Sequence, residues 1–114
     1  MNWRSVRLEL GSTREFPSGS VSRAFLLRLP LNERDEVDAS ALGKAPRRAV
    51  VRRHWSTDPD QNGFIVPSGD NWALGTKDSN RLLRLGGQPL RLGAVVSVVE
   101  SDGTVLPFKI ASIR

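Results

Sequence analysis

Apolar and charged residues alternate at the start of the chain. Val6, Leu8 and Leu10 are separated by Arg7 and Glu9, with Trp3 and Arg4 ahead of them. A period of two puts alternate side chains on opposite faces, so a half-buried strand is expected over about Trp3 to Leu10. A second is expected over about Val21 to Leu29. Val21, Phe25, Leu27 and Leu29 share one face, Ala24 and Leu26 share the other with Ser22 and Arg28, and Pro30 is expected to end the strand. A third runs from about Arg48 to Trp55, where Ala49, Val51, Arg53 and Trp55 alternate with Arg48, Val50, Arg52 and His54. Short strands follow near Phe64 to Val66 and Trp72 to Leu74. The segment Arg81 to Leu85 is read as a strand or a helical turn, because Leu82, Leu83 and Leu85 fit neither period well.

The C-terminal pattern is the clearest. Leu90 to Glu100 and Thr104 to Ile113 flank Asp102-Gly103, which predicts a hairpin closed by a type I′ turn. Val95, Val96, Val98 and Val99 are apolar on both faces of their strand. That pattern predicts burial on both sides, or a place where sheets meet.

Leu31 to Leu42 breaks the alternation and carries Glu33, Asp35, Glu36 and Asp38. Asp38 can cap one helical turn over about 38–42, with Gly43 closing it. Elsewhere Pro, Gly, Asn and Asp clusters punctuate the chain at short intervals, the mark of an all-β fold. The expected architecture is one domain over residues 1–114, a small barrel of about six or seven antiparallel strands, with a two-sheet sandwich as the alternative.

Composition narrows the function classes. At 114 residues and 39% hydrophobic content, the chain can bury one core without staples. It has no Cys, which removes disulfides, thiolate catalysis and thiolate metal sites together. The charged, alternating N-terminal stretch does not resemble a secretory leader, and no apolar run reaches membrane-helix length, so a soluble, cytoplasmic protein is expected.

Net charge is +5, from 17 basic and 12 acidic residues, and only Lys44, Lys77 and Lys109 are lysines. Arginine suits planar contacts to phosphate or carboxylate, although a GC-rich genome produces the same bias. Charge is also segmented. Glu33 to Leu42 holds one positive and four negative charges, net −3, whereas Gly43 to Thr57 holds five positive charges and no acid. Arg47, Arg48, Arg52 and Arg53, with His54 beside them, therefore form a candidate surface for an anionic ligand, nucleic acid or a protein partner. On a strand, Arg48 and Arg52 face away from Arg53, and such charge also serves to protect a sheet edge. Trp55 and Trp72 are the candidate apolar contacts. Packing within the fold is the ordinary role of such residues.

Asp58-Pro59-Asp60-Gln61-Asn62-Gly63-Phe64-Ile65 resembles the first half of a calcium-binding loop. Oxygen ligands stand at positions one, three and five, with Gly at six. Asp58, Asp60 and Asn62 are thus candidate calcium ligands. Gly69 stands where the bidentate Glu belongs, and any tight turn selects the same residues. Arg48-x-x-x-Arg52 with Asp58-x-Asp60-x-x-Gly63 also looks similar in outline to the cyclic-dinucleotide-binding PilZ domains. Those are small β-barrels with Arg-x-x-x-Arg followed by Asp/Asn-x-Ser-x-x-Gly. Asp60 stands where that family has Ser, and the two pieces lie too close for a full strand between them, so the chain is not assigned to it.

Catalysis has little support. His54 is the single His, and no nucleophile motif is present. An aspartate-based enzyme would need two of Asp58, Asp60, Asp70 and Asp78 brought together. The expected function is a non-catalytic binding or interaction module for an anionic partner. A calcium-stabilised domain and a small aspartate enzyme are the alternatives.

Overall fold

A computed structural model describes residues 1–76, 79–85 and 87–114. Eight strands, β1 (Asn2–Leu10), β2 (Ser20–Leu31), β3 (Val50–Trp55), β4 (Gln61–Ser68), β5 (Asn71–Thr76), β6 (Ser79–Arg84), β7 (Val95–Val99) and β8 (Val105–Ile113), form a closed antiparallel barrel in chain order. One helix, α1 (Ala39–Lys44), and a 3-10 turn (Pro46–Arg48) lie between β2 and β3. The barrel has more strands than the six or seven expected, because the segment near Arg81 to Leu85, undecided between strand and helical turn, forms β6.

Closure is made by β1 against β8, with Val6 opposite Ile113 and Leu10 opposite Phe108. Ser5 and Arg114 complete it by exchanging backbone hydrogen bonds of 2.8 Å in both directions. The interior is apolar. Leu8, Phe25, Leu27, Ile65, Leu74, Leu83, Phe108 and Ile110 are fully buried, and no polar or charged residue of the described chain is classed as buried. Phe25 and Phe108 meet edge to face at 5.1 Å between ring centroids, a favoured aromatic geometry.

The loops lie at two ends. The upper end carries residues 11–19, 56–60 and 100–104; the lower end carries the connection with α1. Asp38 caps α1 as expected, accepting from the Ala41 N–H at 3.0 Å. Leu42 plugs the lower end at 2% exposure. Gly43 sits inside the helix rather than closing it, and Ala45 is the C-cap.

Several boundaries differ from the sequence pattern for local reasons. Pro30 does not end β2. Its carbonyl accepts from Asp38 N at 2.9 Å, on the side away from β1, and the N–H it lacks would point that same way. Val21 is 71% exposed, because the β1–β2 register shifts between Glu9 and Leu10 and carries it off the core face. Arg48 belongs to the 3-10 turn, not to β3. Residues 90–94 precede β7, which starts only at Val95, and Val95 is 59% exposed. The valine run is therefore buried on one face only.

The β7–β8 turn is not type I′. Only Gly103 has positive φ, and Gly103 N donates to Glu100 O at 2.9 Å while Glu100 N donates to Thr104 O at 2.7 Å. That is the pattern of a three-residue loop with a glycine bulge.

Gly63 is set by close approach. A Cβ there would stand 1.7 Å from the Gly75 carbonyl oxygen. Gly63→Ala is expected to cost about 1–3 kcal/mol through forced backbone shifts. Gly43→Ala, with nothing within 4 Å of the added carbon, should stabilise by about 0.5–1 kcal/mol. Denaturant titration of both variants checks the contrast. In the β7–β8 turn, the Thr104 N–H donates to the Asp102 carboxylate and holds that carboxyl below its ordinary value. A depressed acid contributes fully above its unfolded pKa and loses the contribution as pH falls through the folded one. The Thr104 amide resonance should therefore titrate with a midpoint below that of an ordinary aspartate.

Candidate nucleic-acid or protein interface on the outer barrel face

The residues singled out between 47 and 72 are dispersed by the fold. Arg48 lies over the Trp3 ring at 4.4 Å, at the lower end. Arg47, also in the 3-10 turn, is exposed. Trp72 is the second residue of β5, at the same lower end, and lines a small cleft of about 260 Å³ with Glu36, Asp70 and Gln88. Trp55 ends β3 at the upper end and packs on Phe25 and Phe108 at 6.2 and 6.4 Å. The two tryptophans therefore do not line one cleft.

Arg53 points inward, as its alternation with Val51 requires. Its side chain is 11% exposed, stacked 4.1 Å from the Trp55 ring and 3.6 Å from the Asp58 carboxylate. Burial first, and then neighbouring Arg81, push its guanidinium below its ordinary value, against the opposing pull of Glu100 and Asp58. Arg81 is itself paired with Glu100, with side chains only 9% and 16% exposed. On the far side, Arg23 lies 4.1 Å from the Phe16 ring and 5.9 Å from Trp55. Guanidinium groups and aromatic rings together seal the upper end of the barrel.

The loop that resembles a calcium site is arranged differently from a cation-wrapping loop. Gln61, Asn62 and Gly63 lie in β4, so Gly63 serves strand contact rather than a sharp turn. Each candidate ligand faces a basic side chain of β3. Asp58 meets Arg53, Asp60 accepts the 2.8 Å contact of His54 Nδ1, and Asn62 Oδ1 accepts from Arg52 Nε at 3.2 Å. Among the described residues, no three His, Cys, Asp or Glu side chains are grouped to hold a metal. Asp70 lies in the β4–β5 turn at the opposite end from Asp58 and Asp60, and Asp78 lies outside the described residues.

Two singled-out residues, Arg52 and Asn62, line an open trough of about 910 Å³ across the outside of β1 to β4 and the end of β8. The registers align its side chains in two rows. In the first, Ser112 faces Arg7, Arg7 faces Leu26, Leu26 faces Arg52, and Arg52 faces Asn62. In the second, Ser5 faces Arg28, and Val50 faces Phe64. These residues alternate with buried Val6, Leu27 and Val51, which fixes them outward. Arg7, Arg28 and Arg52 zigzag between the rows on successive diagonals, about 7–8 Å apart at the backbone.

The floor beneath them is apolar. Phe64 is 51% and Val50 40% exposed, with Leu26 between the arginines. Phe64 faces Gly75, which has no side chain to cover the ring. Arg28 donates to Ser5 Oγ at 3.0 Å, and Arg52 to Asn62. Both acceptors are neutral, so they orient the guanidinium groups without cancelling their charge. Arg7 is the exception, paired with Glu9 at 2.7 Å. No acidic side chain lines the trough.

Sequence reading passed over Arg7, Arg28, Leu26 and Phe64. Arg7, Leu26 and Arg28 stand on the phase of their strands opposite the main apolar face, and the short Phe64 to Val66 strand is assigned no phase. The register that brings four strands' residues side by side has no local signal.

Comparison with known proteins returns no match: no family model, no curated protein and no solved structure is similar to this chain.

The upper-end cluster makes a stability prediction. Glu100→Gln leaves the part-buried Arg81 without its carboxylate and beside Arg53, and is expected to cost about 1–3 kcal/mol. Arg53→Met removes the cation that burial already disfavours and should cost clearly less. Urea titration of the two variants decides the order.

Proposed function

We propose that this chain is a non-catalytic binding module whose working surface is the outer trough of β1 to β4, and that its partner is anionic. The observation that carries this reading is the pair Arg28 and Arg52. Neutral side chains hold them in place beside an apolar floor that has no acid of its own. Oriented, uncancelled guanidinium groups favour carboxylate or phosphate, and the partner's contact with the floor adds burial of Phe64, Val50 and Leu26. The reading keeps Arg52 from the basic segment and replaces Arg47, Arg48, Arg53 and the tryptophans with Arg7, Arg28 and Phe64. A cytoplasmic setting belongs to the same reading and rests on composition alone.

The test is titration of isotope-labelled protein with poly-L-glutamate and, separately, with a mixed single-stranded oligonucleotide at 50 mM salt. Amides of β1 to β4 around Arg7, Arg28, Arg52 and Phe64 are expected to shift with at least one of the two. With Arg28 and Arg52 as two phosphate contacts, oligonucleotide affinity should fall about sevenfold between 50 and 200 mM salt. The double variant Arg28→Glu/Arg52→Glu should lose the response while keeping its melting temperature, because both side chains lie on the outer face. Shifts confined to other surfaces, or none with either polymer, would sink the proposal.

A further inference from the structure

The chemistry of the trough narrows the class of partner, and this step rests on the reading of the trough as an anion-binding surface. We infer that the occupant is an extended acidic peptide segment carrying aliphatic or aromatic anchors, contributed by a protein partner. Three observations favour it over other polyanions.

The first is the floor. It has one aromatic ring, Phe64, among the aliphatic side chains Leu26 and Val50. Proteins that hold single-stranded nucleic acid offer several aromatic rings on which successive bases stack. A mainly aliphatic floor matches apolar side chains instead. The second is openness of form. The trough lies on the outside of a barrel whose interior is filled, so it covers one side of an occupant only. A small amphiphile is normally held with most of its surface buried. A segment of polypeptide, fixed at both ends by its own protein, needs no such enclosure. The third is spacing. Successive guanidinium-bearing residues stand about 7–8 Å apart along the zigzag. In an extended peptide, side chains two residues apart project to the same side about 6.6–6.8 Å from one another. Two acidic residues at alternate positions thus come within reach of Arg28 and Arg52.

The closed barrel adds a constraint on how the segment binds. Every strand is already paired on both sides, so a peptide cannot extend the sheet by β-strand addition. Recognition goes through side chains: carboxylates to the arginines, anchors to Phe64, Val50 and Leu26. Backbone N-methylation of the peptide should therefore leave binding intact.

The trough crosses five strands, from β8 to β4, about 19 Å at ~4.8 Å per strand, which about six extended residues span. The probe is accordingly a fluorescein-labelled peptide of about eight residues with Glu, Glu, Leu and Phe at alternate positions, so that all four share one face, and Ser between them. Its control has the same charge with Ser in place of the apolar residues. The other arms are a labelled single-stranded oligo-dT and vesicles of phosphatidylglycerol in phosphatidylcholine. Fluorescence anisotropy is expected to show the anchored peptide binding at least about tenfold tighter than the Ser control. Phe64→Ser should remove most of that difference while leaving the Ser control's affinity in place, and Arg52→Glu should weaken both. Phe64 is half exposed, so its variant is expected to fold, and an unchanged melting curve verifies this.

If oligo-dT or the vesicles bind tighter than the anchored peptide, and Arg28→Glu/Arg52→Glu abolishes that binding, the peptide assignment is overturned and the trough remains an anion surface. Equal binding of the anchored and Ser peptides likewise overturns the assignment. If no probe responds to the arginine variants, both the assignment and the reading beneath it fall.

Discussion

The pairing of the first strand with the last is the constraint on which everything else depends. Once β8 closes on β1, no strand has a free edge, and each of the eight strands has one face directed into a space of fixed size. That space is dry, so the inward positions must be apolar and must fill it. Phe25 and Phe108 are its largest fully buried side chains, with Leu and Val around them. The outward positions are thereby released from packing, and they hold the charge. The same alternation that builds the core therefore builds the trough. A one-residue slip of β3 against β2 would turn Arg52 into the core and Val51 out of it.

The ends of the barrel are sealed by different chemistry. Below, α1 inserts Leu42 and the connection supplies Ala49, a simple apolar plug. Above, the seal is cationic and aromatic: Arg23 between Phe16 and Trp55, Arg53 on Trp55, and Arg81 against Glu100. Burying arginine is costly unless a carboxylate and an aromatic face offset the loss of water. Here both are supplied, although Arg53 Nε is left without a hydrogen-bond partner. The lowered pKa of Arg53 expresses the same tension. This accounts for much of the basic segment that stood out in the sequence. Arg53 seals the barrel and Arg48 covers Trp3, so their charge is used within the fold, and the His54 side chain is taken up by Asp60.

The fold class, both long N-terminal strands, the Asp38 cap and the C-terminal hairpin were legible because each depends on local periodicity or a local turn. Strand count was not, because Phe64 to Leu85 mixes Gly, Pro and polar residues into strands whose pairing partners define them. The turn type at Asp102-Gly103 was misjudged for a related reason. The dipeptide permits two geometries, and the register of β7 against β8 selects the one that needs positive φ only at Gly103. The site was legible only in part. Strand phase correctly separated Arg52 from Arg53. Adjacency of residues 7, 28, 52 and 64 is a property of four registers and cannot be read from spacing along the chain.

What distinguishes Arg28 and Arg52 from the other arginines is therefore not how strongly the local sequence is charged. Arg52 lies in the most basic stretch of the chain, Arg28 in an apolar strand. They share an outward phase, a neutral hydrogen-bond acceptor on the neighbouring strand and an apolar neighbour across the row. Ser5 and Asn62 supply the acceptors through cross-strand pairing, so the barrel itself sets where the guanidinium groups point. A glutamate at either position would have given a stronger local ion pair and a blunted surface. With serine and asparagine there, orientation is retained and the charge stays available. That is the arrangement expected of a surface whose positive charge acts on something outside the barrel.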